Sequence, residues 1–290
     1  MKKSRFLAIS LATLLALTGC AGQDLVSSDD VVVGDPSTFP EDSTMAVLAE
    51  RDTIRIGVKF DQPLFGDLLD GASVPVGFDV DIAKILAKSL GFSENQIEWI
   101  ATASTDRLGY IKYGKVDFAV ATFTITEDRK REIGFAGPYF IAGQQLMVAS
   151  SNTDIAGPDD MSGKRLCVVS GSTGADYFAE NYDAILVAVS GYSDCVDLLR
   201  QGSVDAAVSD NVILSGLIFA NPDFSMKLVG SKISEEPYGV GVMLERNDLR
   251  HFFNKALQES FDDGEWKAAW DEHLVSILGT NTFIPQVEDY

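Results

Sequence analysis

Residues 114–120 read Gly114-Lys115-Val116-Asp117-Phe118-Ala119-Val120, and 88 residues later the chain reads Gly202-Ser203-Val204-Asp205-Ala206-Ala207-Val208. Apolar residues alternating after a glycine describe a strand entered from a turn. One recurrence is not a solenoid, whose stacking needs at least three units. It predicts two lobes of like construction, unless so short a match is chance. Outward from these strands the pattern alternates. Ile54, Ile56 and Val58 form a period-two strand, and Ile82, Ile85, Leu86 and Leu90 follow helical spacing up to Gly91. A strand near 97–100 and a helix near 104–113 precede the first copy. Strands at 146–149 and 165–169 and a helix through Tyr182 precede the second. Alternating strand and helix predicts an α/β fold whose sheets are mainly parallel and flanked by helices.

Ligands of such sheets sit beyond the carboxyl ends of strands. After the first copy come Thr122, Thr124 and, five residues on, Arg129. A guanidinium fork beside two hydroxyls is a cradle for a carboxylate; the bland alternative is a capped surface helix over 126–133 with solvated charges. The 88-residue offset sets Asp210 opposite Thr122, so the pair Arg129 and Asp210 matches a zwitterion. The loop Ser170-Gly171-Ser172-Thr173-Gly174 opens a helix and offers backbone N–H groups to an anion, or serves only as a cap. It is not a phosphate loop, because Gly163-Lys164 is followed by Arg165 and lacks the hydroxyl partner. Asp79 and Asp81 fall in the first turn of a helix, where carboxylates favour the positive end. Leu249, Phe252, Phe253, Ala256, Leu257 and Phe261 make one helical stripe and Trp266, Ala269 and Trp270 begin another, both read as core. The two histidines, His251 and His273, lie in these last helices, which leaves no histidine triad and no metal or cofactor motif.

Lys2, Lys3 and Arg5 precede a short apolar run from Phe6 to Leu17, the pattern of a secretion leader and too short to span a bilayer. Its end, Leu17-Thr18-Gly19-Cys20, resembles the lipobox of bacterial lipoproteins, which implies cleavage before Cys20 and lipidation of its sulfur. Residues 20–52, rich in Ser, Asp, Thr and Pro, are expected to be a flexible tether. Without residues 1–19 the net charge of −20 becomes −23, since three basic groups leave. Such a surface repels phosphate backbones and excludes nucleic acid as a partner. Of three cysteines, lipid on Cys20 leaves Cys167 and Cys195 as an even pair in an exported chain, so a disulfide is expected between them. Two thiols with no histidine nearby make a poor zinc site.

Gly77-Phe78-Asp79-Val80-Asp81-Ile82-Ala83, Thr124-Ile125-Thr126-Glu127-Asp128-Arg129 with Phe135, Pro138 and Tyr139, and Gly171-Ser172-Thr173 resemble the family 3 extracellular solute-binding proteins of amino-acid ABC transporters, in order from about Ile54 to Leu278. The resemblance implies a type II periplasmic-binding-protein fold. Lobe 1 would be 53–142 plus 243–290 and lobe 2 143–242, joined by hinge strands near 143–147 and 238–242. It implies that Arg129 and Thr124 clamp an α-carboxylate with the backbone N–H groups of Ser172 and Thr173. Asp210 and Thr122 would take an α-ammonium, and Phe78 would pack over the ligand, with Phe60 or Phe65 as a second wall. Lys59 stands where relatives that bind acidic amino acids carry a basic residue, and Asp61 is a further acid expected in the cleft with a binding role. Lys59-Phe60-Asp61-Gln62-Pro63 and the cysteine pair look like glutamate-binding lipoproteins of Gram-positive bacteria. The expected protein is therefore a monomeric, lipid-anchored extracytoplasmic receptor, not an enzyme, that gives glutamate or a related amino acid to a permease. A cyclic-acid dehydratase on the same scaffold and a sensor ectodomain acting in trans are the alternatives.

Overall fold

The computed structural model describes residues 32–280 and 282–290. The expected leader, Cys20 and the first part of the tether lie outside the described residues. Two five-stranded sheets organise the rest. The first runs in the order β4 (Ile97–Ala101), β1 (Ile54–Val58), β5 (Phe118–Ala119), β12 (Glu236–Val242) and β6 (Gly134–Ala142). The second runs β11 (Met226–Val229), β7 (Gln144–Ala149), β10 (Ala206–Asp210), β8 (Arg165–Val169) and β9 (Ile185–Val189). After β1, β2 (Asp61–Gln62) and β3 (Gly66–Asp67) form a small ribbon.

Both sheets are mixed, not mainly parallel. β1 pairs parallel with β4 and β5, and β8 with β9 and β10. β12 and β7 run antiparallel to their neighbours. The chain passes from β6 in the first sheet into β7 in the second through Gly143 alone. Tyr238–Val242, expected in the second lobe as a hinge strand, is hydrogen-bonded into the first sheet, with Glu236 opposite Ala142. The return to lobe 1 therefore lies just before Glu236.

The repeated strands carry the same ion-pair clamp. Asp117 accepts the Arg55 N–H at 3.0 Å and its Nη2 at 3.0 Å. Asp205 accepts the Arg165 N–H at 2.8 Å and its Nη2 at 2.8 Å. Each aspartate fixes the register of its strand against a parallel neighbour, β5 against β1 and β10 against β8, which is why Asp recurs with the motif.

Helices α2 (Phe78–Ser89), α8 (Asn247–Asp263) and α9 (Glu265–His273) cover the first sheet, and α5 (Thr173–Asn181), α6 (Tyr192–Arg200) and α7 (Asn211–Ala220) the second. Short helices α1 (Thr44–Ala49), α3 (Arg107–Lys112), α4 (Glu127–Lys130) and α10 (Val275–Leu278) complete the chain. Gly77 enters α2 at φ 133°, and a Cβ there would lie 2.4 Å from the Phe65 carbonyl oxygen, a turn that only glycine makes cheaply. Residues 36–49 are docked on lobe 1 and are not tether. Phe39, Met45 and Leu48 are buried, and the Thr44 N–H and hydroxyl both bond Asp248. Their polar composition hides a capped helix, since Ser43 Oγ accepts the Ala46 N–H at 3.1 Å.

Phe78 sits at 0 % exposure among Phe65, Phe140, Trp266 and Trp270, with centroids 5.6–6.5 Å apart. Edge-to-face packing of this kind is a core arrangement. In lobe 2 a disulfide joins Cys167 on β8 to Cys195 on α6 across a sequence separation of 28. Converting both cysteines to alanine should lower stability by about 3–4 kcal/mol in the chain-entropy estimate. Denaturant unfolding of the double variant measures it, and an unchanged midpoint would show that the bond constrains little.

Candidate ligand-binding site

The carboxyl ends of β5 and β10 face one another across a narrow cleft between the lobes. Arg107, Thr122, Thr124, Ser172, Thr173, Gly174, Tyr192, Ser209 and Asp210 line it. Little free space is left, about 10 Å³, near the room needed for a single water, so a guest enters only when the lobes part. A roomier depression of about 520 Å³ lies between α2 and α9. Its charges satisfy one another: Asp81 bonds Lys84 and His273, and Lys88 bonds Glu265. Asp81, Glu272 and His273 are the one metal-like trio among the described residues, and both Asp81 oxygens are already engaged.

On the lobe 1 side, Arg129 donates to the Thr124 carbonyl at 2.8 Å and reaches over to the Gly171 carbonyl at 3.1 Å. Burial, with Arg107 close by, lowers its pKa to about 10. Arg107 is buried, donates to the carbonyls of Ala121 and Thr122 at 2.8 and 3.0 Å, and has no partner for its Nε. The sequence reading missed it, as it missed Tyr192 and Ser209. A cue existed: Arg107 and Tyr192 follow the carboxyl ends of β4 and β9, where sites form.

Lobe 2 supplies the opposite sign. Asp210 is buried and accepts the Tyr238 hydroxyl at 2.5 Å. Burial pushes its carboxyl up to about 7, and Glu236 adds to the rise. The hydrogen bond from Tyr238 and the two arginines oppose it. Glu236 accepts the Thr173 hydroxyl at 2.9 Å. Asp79, read from sequence as a helix-terminus charge, is a buried acceptor for the Thr122 N–H at 2.7 Å and the Tyr139 hydroxyl at 2.8 Å. Burial raises it too, to about 7.

Several expected contacts lie elsewhere. Phe78 and Phe65 are core rings and do not line the cleft. The Ser172 N–H is taken by the Val169 carbonyl at 3.1 Å, and its Oγ caps α5. The Thr122 hydroxyl donates to Gln62 Oε1 at 2.9 Å. Lys59 is buried one layer behind the wall, donating to Ser104 Oγ at 2.8 Å, with its pKa pulled well down by burial and by Arg107. Asp61 spans the cleft and accepts the Tyr192 N–H at 3.0 Å, capping α6 from the other lobe. Beside it the Pro63 carbonyl oxygen would lie 2.3 Å from a Cβ on Gly216 of α7.

Residues 54–275 match the family model of bacterial extracellular solute-binding proteins, family 3. The chain belongs to that family. It is 32% identical over 268 residues to the ABC transporter glutamine-binding protein GlnH of Bacillus subtilis, covering 92% of this chain and 95% of that one. It is 31% identical to the glutamate-binding protein GluB of Corynebacterium glutamicum, covering 91% and 90%. A solved ancestral arginine-binding protein bound to glutamine superposes with a TM-score of 0.73 at 33% identity, over 77% of this chain and 98% of that one. The solute-binding protein has the expected two-lobed type II fold, and its family is one of receptors, not enzymes. No helix among the described residues is long and apolar enough to cross a membrane.

Asp210 and Asp79 bind protons more tightly folded than unfolded. Their contribution to stability is complete below about pH 4, the unfolded value, and is lost as pH rises through about 7. Asp210→Asn should therefore gain stability over the parent between pH 5 and pH 8, read by urea unfolding of the ligand-free protein at both values. A constant difference would refute the buried charge. Gly216→Ala improves helix propensity by up to about 1 kcal/mol, yet its methyl meets Pro63 and should hold the lobes apart. Small-angle scattering should show a larger radius of gyration, and a curve identical to the parent would show that the contact does not limit closure.

Proposed function

We propose that this protein is a lipid-anchored extracytoplasmic receptor that binds an amino acid, glutamate first, between its lobes and hands it to an ABC importer. The observation that carries the reading is the charge layout of the cleft. Arg107 on lobe 1, with an unpartnered Nε, lines the cleft opposite the carboxylate of Asp210 on lobe 2, and Arg129 bridges the lobes beside it from the Thr124 carbonyl to the Gly171 carbonyl. Arg129 and Thr124 take the α-carboxylate, joined by the Thr173 N–H at the start of α5, where first-turn amides lack helical partners. Asp210 takes the α-ammonium, with Thr122 beside it. Tyr192, and not Phe78, forms the wall. Arg107 adds positive potential for an acidic side chain, which favours glutamate over its amide. The named relatives are a glutamine-binding protein, a glutamate-binding protein and an arginine-binding protein bound to glutamine, in keeping with an amino-acid ligand. Asp61 serves closure by capping α6. Anchorage rests on Leu17-Thr18-Gly19-Cys20, and one chain is sufficient for the site.

Calorimetric titration of the delipidated protein at pH 8 with glutamate, aspartate, glutamine and arginine tests the proposal. Glutamate should bind tightest, and Arg129→Ala should lose about 2–5 kcal/mol of binding energy, the range for removing a buried charge partner. No binding of any of the four at millimolar concentration would sink the amino-acid reading, and tighter glutamine than glutamate would overturn the choice of side chain.

A further inference from the structure

We propose that Phe123 is a positioning residue whose ring holds Arg107 and Arg129 together at the cleft and so sets the preference for an anionic solute. The inference rests on the amino-acid receptor reading. The Arg107 guanidinium carbon lies 4.3 Å from the Phe123 ring centroid and that of Arg129 4.9 Å. The backbone repeats the arrangement. Arg107 bonds the carbonyls of Ala121 and Thr122, Arg129 bonds the carbonyl of Thr124, and Phe123 stands between them in the chain.

Every hydrogen bond these two guanidiniums make among the described residues ends on a carbonyl oxygen. Two cations, Arg107 buried and Arg129 partly exposed, are thus gathered without a carboxylate bonded to either. Arg107 destabilises the charge on Arg129, after burial the largest cause of its lowered pKa. The negative face of an aromatic ring attracts a guanidinium, and more strongly when the pair is desolvated. Phe123 offers that face to both. Its ring is itself fixed, meeting Phe135 edge-on at 5.1 Å and 75° and lying at 1 % exposure, so it supplies a rigid platform that an aliphatic side chain of the same burial does not. An anion is what such a platform lacks, and the carboxylates of a dicarboxylic amino acid complete it.

The test separates the ring's charge distribution from its volume. Replacing Phe123 with mono-, tri- and pentafluorophenylalanine keeps the shape and progressively reverses the face potential, and Phe123→Leu removes it. Expected is a stepwise loss of glutamate affinity in calorimetry, about tenfold for the pentafluoro ring, with a smaller loss for glutamine, at a temperature where every variant remains folded. Affinity for both that stays constant across the fluorinated series would reduce Phe123 to a core residue. Should the unsubstituted protein bind no acidic amino acid, the functional reading fails by itself. The ring contact is then read without ligand, as upfield ring-current shifts of the Arg107 and Arg129 side-chain resonances in Arg-labelled NMR spectra. Those shifts should disappear in Phe123→Leu and persist in Phe123→Tyr; their absence in the parent protein would overturn the proposal.

Discussion

One buried carboxylate, Asp79, ties together the three segments on which the cleft depends. It lies in the first turn of α2, accepts the Thr122 N–H after β5, and accepts the Tyr139 hydroxyl from β6. Thr122 is held at φ 45°, an unusual conformation for a threonine that persists where surrounding bonds over-determine it. From that bend follow Phe123 and Thr124, and hence the placement of both guanidiniums. Tyr238 repeats the device one strand over, its hydroxyl bonding Asp210. Two tyrosines of the antiparallel pair β6 and β12 thus each satisfy one buried acid, one at the base of each lobe's contribution.

Symmetry explains the scaffold and asymmetry the site. The Arg55–Asp117 and Arg165–Asp205 clamps are equivalent in position and bonding, so the two lobes are built by the same rule. At the next position along, the copies diverge in sign, with hydroxyls and guanidiniums on lobe 1 and a carboxylate on lobe 2. Opposite signs across one narrow gap favour closure around a guest that carries both. The latch contacts at Asp61 and Gly216 act at the rim, where a backbone N–H and a missing side chain let the lobes approach. A ligand shifts such an equilibrium only by its differential affinity for the closed state, and the closed cleft is where both sets of charges can reach it.

Much of this was legible in the chain. Local signals carried the α/β order, the doubled strand motif, Arg129, Asp210 and the cysteine pair, because strand period, turn glycine and charge type are expressed within a few residues. Phe78 misled because an aromatic at a helix start reads alike whether it faces a cleft or a core; Trp266 and Trp270, nearly two hundred residues away, decide which. The stretch 36–49 misled because average composition outweighed three buried apolar anchors.

By itself the sequence determined two lobes of alternating strand and helix and the chemical types of the opposed charges, since each depends on neighbours along the chain. Only the tertiary structure decided which polar groups are spent internally and which face the cleft. Ser172's amide, Asp61 and Asp79 are committed to distant or loop partners, while Arg107 keeps a donor unpaired. The reason is that hydrogen-bond satisfaction in a buried site is settled by groups brought together across long sequence separations, a balance that no local pattern records.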